Sequence, residues 1–538
     1  MELFEPFIAP ASGLMNDYIM HDRKLLKYFE YKPEISSLKN RYERTVSRHP
    51  ADRPRLARII GSYMERFGDS PAAREALEHF SEGAPLVVTG QQAGLFTGPL
   101  YTVHKAISAI VLADKASAEL DRIVVPLFWV AGEDHDIAEI AHVYRQTDRR
   151  VDKMNFPHME YGKRSASAAR LNKQKIGSHM EAYFKSLPET EHSKELFETI
   201  RQLFDRANTF TDFFSAFLHW LFKDSGLLFI DAADPALRAY EAEFFAVLID
   251  RSAEIAEAVC STEQTLRQDG YPTSLDANPE SANLFLAVGS ERMLLERDGD
   301  RFVCGNKIYT KEELLQLLAD NPELFSNNVV TRPLMQDMVF PVLSYIGGPG
   351  EIAYWAELKS AFEVMGLEMP VVMPRLNMTL VSRRVGFLLE KHSMEPAAAI
   401  GHNEAGNRRE ELLEAARETE AEQLLASLEQ ELTSRYEDVR EKFSSVSKGL
   451  LPAVDKNLSI HLDQLTYLKR KLQEEVELQH DVQLSQFRTI EQELLPDGNP
   501  QERIYSPVPY LNQYGPDLIG DMLKMPFNYD RNHKIICL

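Results

Sequence analysis

Residues 85–105, PLVVTGQQAGLFTGPLYTVHK, constrain this chain more than any other stretch. Leu86–Thr89 are apolar or β-branched and have the make-up of a short buried strand. A loop punctuated by Gly90, Gly94 and Gly98 follows, and helical periodicity begins near Pro99. Strand, glycine loop and helix start, in that order, are how α/β folds turn backbone N–H groups and a helix dipole toward an anionic ligand. The loop matches neither G-x-G-x-x-G nor G-x-x-x-x-G-K-[ST], so it is not an ordinary dinucleotide loop or P-loop. Gln91, Gln92, Tyr101, His104 and Lys105 crowd it with hydrogen-bonding groups, which marks a ligand site rather than a bare turn.

The 538 residues, 44% of them hydrophobic, suffice for roughly two to four domains around a large core. A net charge of −22 repels polyphosphate, which excludes a broad nucleic-acid surface but not a local basic pocket. Cys260, Cys304 and Cys537 are far apart and none lies in a C-x-x-C pair. No disulfide framework or thiolate zinc site follows, and a reducing cytoplasm is expected. The start, MELFEPFIAPASGLMNDYIMHD, is acidic and lacks an unbroken apolar h-region. No run approaches the roughly 18 apolar residues of a membrane span, so no membrane partner is expected.

Five apolar runs read as strands of a parallel sheet buried on both faces: Leu86–Thr89, Ile123–Ala131, Leu227–Asp231, Val342–Ile346 and Val371–Met373. Helical patterns follow at Thr102–Ser117, Pro235–Gln268 and Ile352–Met365. Two gaps are too long for simple crossovers. The expected organisation is a Rossmann-like α/β core (1–136, 223–269 and 336–402) with inserted subdomains at 137–222 and 270–335. The first insert carries a basic stretch, Arg145 to Arg170, and the second carries Asp298-Gly299 between alternating segments, a hairpin signal.

From Asn403 the pattern changes. Leu425, Leu428, Leu432, Tyr436, Val439, Phe443 and Val446, and after a break Leu458, Leu465, Leu468, Leu472 and Val476, recur at spacings of three, four and seven. That predicts an antiparallel α-helical coiled-coil arm over 403–495, read as a homodimerisation surface, although His461, Glu475 and Gln479 interrupt its seam. The aromatic, proline-rich segment 496–538 is expected to return to the core, with Tyr505 and Tyr510 walling a pocket or simply tethering the chain.

Further polar groups fall at the carboxyl ends of the strands, where ligands of open α/β sheets bind. Trp129, Glu133, Asp134, His135, Asp136 and Glu139 cluster after the second strand. Carboxylates beside a histidine suit ammonium recognition or proton abstraction better than a metal, for which the spacing sets no geometry. After the fourth strand, Gly347, Gly348 and Gly350 permit close backbone approach, with Glu351 at the helix start. After the fifth, Arg375 can clamp a carboxylate or phosphate, or be neutralised in a buried ion pair. Together these groups suit a molecule bearing both an amine and an anion.

The blocks VVTGQQAGLFTGPLYTVHKA, VPLFWVAGEDHDIAEI, SYIGGPGEIAYWAELK and VVMPRLN resemble those of the cysteine-adding enzymes of bacillithiol synthesis. The resemblance spans nearly the whole chain. It implies a cytoplasmic ligase joining cysteine, through an amide, to the amine of glucosaminyl-malate. It also implies a core similar to class I aminoacyl-tRNA synthetases and other nucleotidylyl transferases. On that likeness Thr89, Gly90, Gln91, Gln92, Gly94, Gly98, His104 and Lys105 take the phosphate side of an ATP that activates the cysteine carboxylate, with magnesium as an optional companion and no protein-bound metal. Of the H-I-G-H tetrad of such synthetases, only its last histidine, His104, survives in Tyr101–His104, and no K-M-S-K-S loop is present; Arg383 and Arg384 are the nearest basic residues. Glu133, Asp134 or Asp136 would hold the cysteine ammonium. His135 would take a proton from the attacking amine, and Arg375 or an insert arginine would grip malate. The other reading is a ligand-sensing coiled-coil scaffold with an inactive core.

Overall fold

The computed structural model describes residues 1–147, 150–289, 291–416 and 419–538. Asp148 and Arg149 of the basic stretch and Ser290 of the hairpin segment lie outside that set. The chain divides into two compact units, 1–380 with 501–538, and 381–500.

The core of the first unit is a parallel five-stranded sheet. Its strands are β1 (Leu86–Gln91), β2 (Val125–Val130), β3 (Leu228–Asp231), β4 (Val342–Gly347) and β5 (Val371–Pro374), in the spatial order β5-β4-β1-β2-β3. All five apolar runs of the sequence are therefore strands of one sheet. Along β1 the side chains alternate between two cores. Leu86 and Val88 join the larger one, and Val87 packs with Leu343, Ile346 and Val371 in the smaller. Helix α1 (Tyr101–Leu120) covers the smaller core with Ala109, Leu112, Ala113 and Ala116. Small residues at these positions let the helix lie close to the strands.

Two expected helices are each two helices. The run from Pro235 breaks at Arg251 into α2 (Pro235–Asp250) and a second helix, Ser252–Gln268. The run after β4 breaks between Trp355 and Lys359. Neither break contains glycine or proline, so no local signal marks it.

The first insert holds an antiparallel pair, His142–Gln146 with Val151–Asn155, and helices Lys173–Lys185, Ser193–Arg206 and Phe210–Phe222. The second is an antiparallel five-stranded sheet. Its hairpin turns through Gly299 and Asp300, since Asp298 already pairs with Arg301; Gly299 supplies the positive φ of +60°. The amino-terminal strand Glu2–Phe4 pairs with Lys534–Cys537, which ties the two chain ends of this unit together.

In the second unit, α5 (Thr419–Val446) and α6 (Leu451–Gln479) form an antiparallel hairpin. Lys469–Glu429, Arg440–Asp455 at 3.3 Å and Tyr436–Asn457 set the register. The seam buries little. Val454 and Val476 are the only buried residues of α6, while Leu428, Phe443 and Val446 stay exposed. No helix among the described residues is long and apolar enough to cross a membrane.

At the end of β3, Asp231 accepts from Ser167 Oγ at 2.6 Å and from the Ala233 N–H at 2.9 Å. Burial pushes its carboxyl up from near 3.8 to about 6, against the lowering effect of those two bonds. The folded state thus holds this proton more tightly than the unfolded state. The resulting stabilisation is fully present below pH 4 and is lost as pH rises through about 6. Chemical denaturation between those pH values should show Asp231→Asn with a shallower fall in stability than wild type, by about 2–3 kcal/mol at most.

Candidate functional site

A cleft of about 640 Å³ opens at the carboxyl edge of the sheet. The loop after β1 forms its floor. Gly90 lies so close to β2 that a Cβ there would sit 2.7 Å from the Trp129 carbonyl oxygen, and a Cβ on Gly94 would sit 2.8 Å from the Gly98 Cα. The Gly94 and Gly98 N–H groups donate to Gln92 and Leu95 carbonyls. These glycines serve close packing within the loop, and the expected phosphate cradle at Gly94 and Gly98 is a recess of only about 20 Å³. The Thr89 hydroxyl likewise stays inside the sheet, donating to the Ile346 carbonyl at 3.0 Å.

Helix α1 sends its two expected catalytic residues in different directions, because successive side chains turn by about 100°. Tyr101 and Lys105, four apart, line the cleft. His104 is fully buried on another face, with Nδ1 3.0 Å from Glu502 Oε2. Burial lowers its pKa despite the pull of Glu502. His104 is therefore not a cleft residue.

Lys105 meets three protein acceptors: the Gly90 carbonyl at 2.9 Å, Gln91 Oε1 at 2.7 Å and the Glu351 carboxylate. Glu351 begins helix α4 (Pro349–Trp355), where it also accepts from the Gly348 N–H at 2.8 Å and Tyr345 Oη at 2.5 Å. Burial opposes the Glu351 charge, yet Lys105 and these donors hold its pKa below the usual value. The Lys105 ammonium and the start of α4 are thus both occupied by the protein's own groups.

After β2, Gly132 passes through a gap where a Cβ would collide with Ser167, Asp231 and Thr211. The first insert then pins the turn, as Ala166 N donates to the Asp134 carbonyl at 2.8 Å. Glu133 is buried and ion-paired with Arg238, which also holds Glu241 at 2.6 Å. Asp134 accepts from Gln92 Nε2 at 2.6 Å and is the cleft carboxylate without a cationic side chain bound to it among the described residues. Asp136 faces solvent and caps the short helix Ile137–Ile140.

His135 lies 3.1 Å, at Nδ1, from Arg292 Nη1. A guanidinium only donates, so Nδ1 is the acceptor and Nε2 carries the proton. Burial and then Arg292 lower the pKa of His135. A neutral ring whose free nitrogen is already engaged is a hydrogen-bond donor to the cleft, and the expected role of proton acceptor does not fit it.

Arg375 reaches the cleft, but its fork is filled by Glu502: Nη1–Oε2 at 2.7 Å and Nη2–Oε1 at 2.5 Å, with Asn377 Oδ1 at 2.9 Å from Nη1. Of the two possibilities for this arginine, the buried ion pair is realised. Its partner is the C-terminal segment, not the acidic cluster after β2. Burial works against the Glu502 charge, yet Arg375 and His104 bring its pKa down to about 2. Gly348 and Gly350 line the cleft, whereas Gly347 is within β4. Tyr505 and Tyr510 are buried in the core and do not line the cleft.

Arg292 and Arg332 of the cleft lie in the second insert, from which an arginine was expected without a position, while Arg503, Asn327 and Tyr354 were not singled out in the sequence. Arg332 opens helix α3 (Thr331–Val339), bonds Gln336 Oε1 at 3.1 Å and Tyr354 Oη at 3.0 Å, and lies 5.0 Å from the Tyr345 ring centre. Arg292 reaches in from the second insert, bonding Ser326 Oγ at 2.9 Å and lying over Phe285. None of Arg292, Arg332 and Arg503 has a carboxylate at ion-pair distance among the described residues. Asn327 is buried with both amide atoms unpartnered, as is the Trp129 indole N–H. Buried groups of this kind call for a ligand or water. No local pattern set Arg292 or Arg332 apart from the other arginines of the inserts, and Arg503 carried no signal. Among the described residues no three His, Cys, Asp or Glu side chains converge as metal ligands.

Comparison with known proteins agrees with this architecture. Residues 1–376 match the family described as "Bacillithiol biosynthesis BshC, N-terminal Rossmann-like domain", and residues 378–538 match its C-terminal coiled-coil domain. A Lysinibacillus sphaericus protein named "Putative cysteine ligase BshC" is 39% identical over 100% of both chains. Its counterpart from Geobacillus kaustophilus, of the same name, is 38% identical, again over 100% of both chains. With an α/β core, a coiled-coil hairpin and relatives matched end to end, the chain belongs to the BshC family of bacillithiol biosynthesis.

Proposed function

We propose that the cleft joins the carboxyl group of cysteine to the amine of glucosaminyl-malate, forming an amide and so bacillithiol, in the cytoplasm. The observation that supports this most is the cleft's charge balance. Lys105 and Arg375 are neutralised by Glu351 and Glu502, while Arg292, Arg332 and Arg503 have no carboxylate at ion-pair distance among the described residues and Asp134 has no cationic side chain bound to it. A protein of charge −22 thus keeps a locally positive cleft with one available carboxylate, which suits substrates that bring several negative groups and one amine. The names of the relatives point to the same chemistry.

ATP is part of this proposal. It would turn a carboxylate oxygen of cysteine into a leaving group, and Arg292 and Arg332 fit a polyanion even though the glycine loop does not. Asp134, held by Gln92, is placed to bind the substrate ammonium and to take its proton as the amine attacks. The His135 Nε2–H and the Trp129 indole N–H are donors for developing negative charge. Holding both reactants on one sheet edge contributes through orientation. The exposed apolar side chains Leu428, Phe443 and Val446 support pairing of two copies through the α5–α6 hairpin.

Mass spectrometry of the product from purified protein, cysteine, glucosaminyl-malate and Mg-ATP tests the reading. Bacillithiol formed only with nucleotide is expected, and its absence under every nucleotide would overturn the ligase assignment. Arg332→Met removes an unpaired cation and should cut product formation at least about tenfold. Lys105→Met instead leaves the half-buried Glu351 carboxylate with only the Tyr345 and Gly348 donors and should cost about 1–3 kcal/mol in urea unfolding, more than Arg332→Met.

A further inference from the structure

The C-terminal segment enters the cleft through helix α7 (Gln501–Ile504), which is fixed from several directions. The Gln501 amide exchanges hydrogen bonds with the Leu380 backbone, 2.8 Å each way. Glu502 is held by Arg375 and His104, and the Tyr505 carbonyl accepts from Leu100 N at 2.7 Å. Among residues 501–505 only Arg503 is exposed, and it lines the cleft within electrostatic reach of Tyr101. A clamp this dense on so short a helix fixes where one cation stands.

Resting on the ligase reading above, the geometry points to Arg503 as the contact for the non-reacting carboxylates of the acidic glycoside, and to Glu502 as the positioning residue that sets it there. Arg375 is not available for that task, because Glu502 fills its fork. The unpartnered polar atoms of Trp129 and Asn327 lie buried in the cleft and Arg503 lies exposed at it, so with the reacting carboxyl at the buried donors the exposed cation meets the far end of the larger substrate. A single guanidinium at a fixed position can bind a malate carboxylate through two parallel hydrogen bonds. Glu502 itself is buried behind Arg375 and touches no substrate; it acts by holding α7.

The experiment is calorimetric titration of the full-length protein with glucosaminyl-malate, with malate and with ATP, independent of turnover. Arg503→Ala should weaken glucosaminyl-malate and malate about tenfold or more and leave ATP binding unchanged. Arg503→Lys should recover part of the loss, and the thermal midpoint of both should stay near wild type, since the residue is exposed. Glu502→Gln should weaken the same two ligands, with no further loss in the double variant, because one residue acts through the other. Wild-type affinity for malate in Arg503→Ala, or a loss confined to ATP, overturns the assignment of Arg503. Additive losses in the double variant overturn the positioning role of Glu502. If the wild-type protein binds no glucosaminyl-malate, the ligase reading itself falls and this inference with it.

Discussion

A charge withdrawn from water inside this fold has to be matched by an opposite charge, and that requirement decides which side chains remain for chemistry. Arg238 is matched by Glu133 and Glu241, Lys105 by Glu351, Arg375 by Glu502 and Arg41 by Asp337 at 2.7 Å. Apart from Arg238–Glu241, three residues apart on one helix, each pair also ties separate parts of the chain together. Arg41 joins the helix Ser36–Arg44 to the start of β4 through the Val342 carbonyl, and Glu502 joins the C-terminal segment to the end of β5. Removing one member would leave a buried charge alone, so these residues read as framework even where they border the cleft.

The sheet was legible because a strand buried on both faces must be apolar almost without interruption, and five runs met that condition. Their order in space was not legible, but their common direction was, since most of the runs are followed by helical sequence. The edge where ligands bind follows from that direction alone. Hence Gly90, Gln91, Gln92, Tyr101, Lys105, Trp129, Glu133, Asp134, His135, Gly348, Gly350, Glu351 and Arg375 do line one cleft.

What escaped the sequence was pairing at long range. Glu502 lies 127 positions from Arg375 and 398 from His104, and nothing local marks it as their partner. That one residue explains why His104 is buried away from the cleft and why, of the two possibilities for Arg375, the ion pair is the one realised. The glycines misled for a different reason. Close approach to a ligand and close approach to a neighbouring strand leave the same mark in sequence, and at Gly90 the neighbour is the Trp129 carbonyl. His104 carried one usable clue, since it shares its helical stripe with Ser108, whereas Tyr101 shares one with Lys105.

A division of labour follows from where the unmatched charges come from. The charges carried on the loops and helices that follow the strands are largely spoken for: Glu133 by Arg238, and Lys105, Glu351 and Arg375 by partners of their own. The cations left for a substrate arrive from elsewhere: Arg292 from the second insert, Arg332 from the helix before β4 and Arg503 from the C-terminal segment. The sheet edge therefore supplies a rigid and nearly neutral bed, and the attached elements supply its charge. An open parallel sheet that hosts many chemistries can acquire a preference for acidic substrates in this way, without disturbing the packing of its strands. The inserts and the C-terminal return are then the parts in which recognition is written, and the glycine loop is the part that lets them meet.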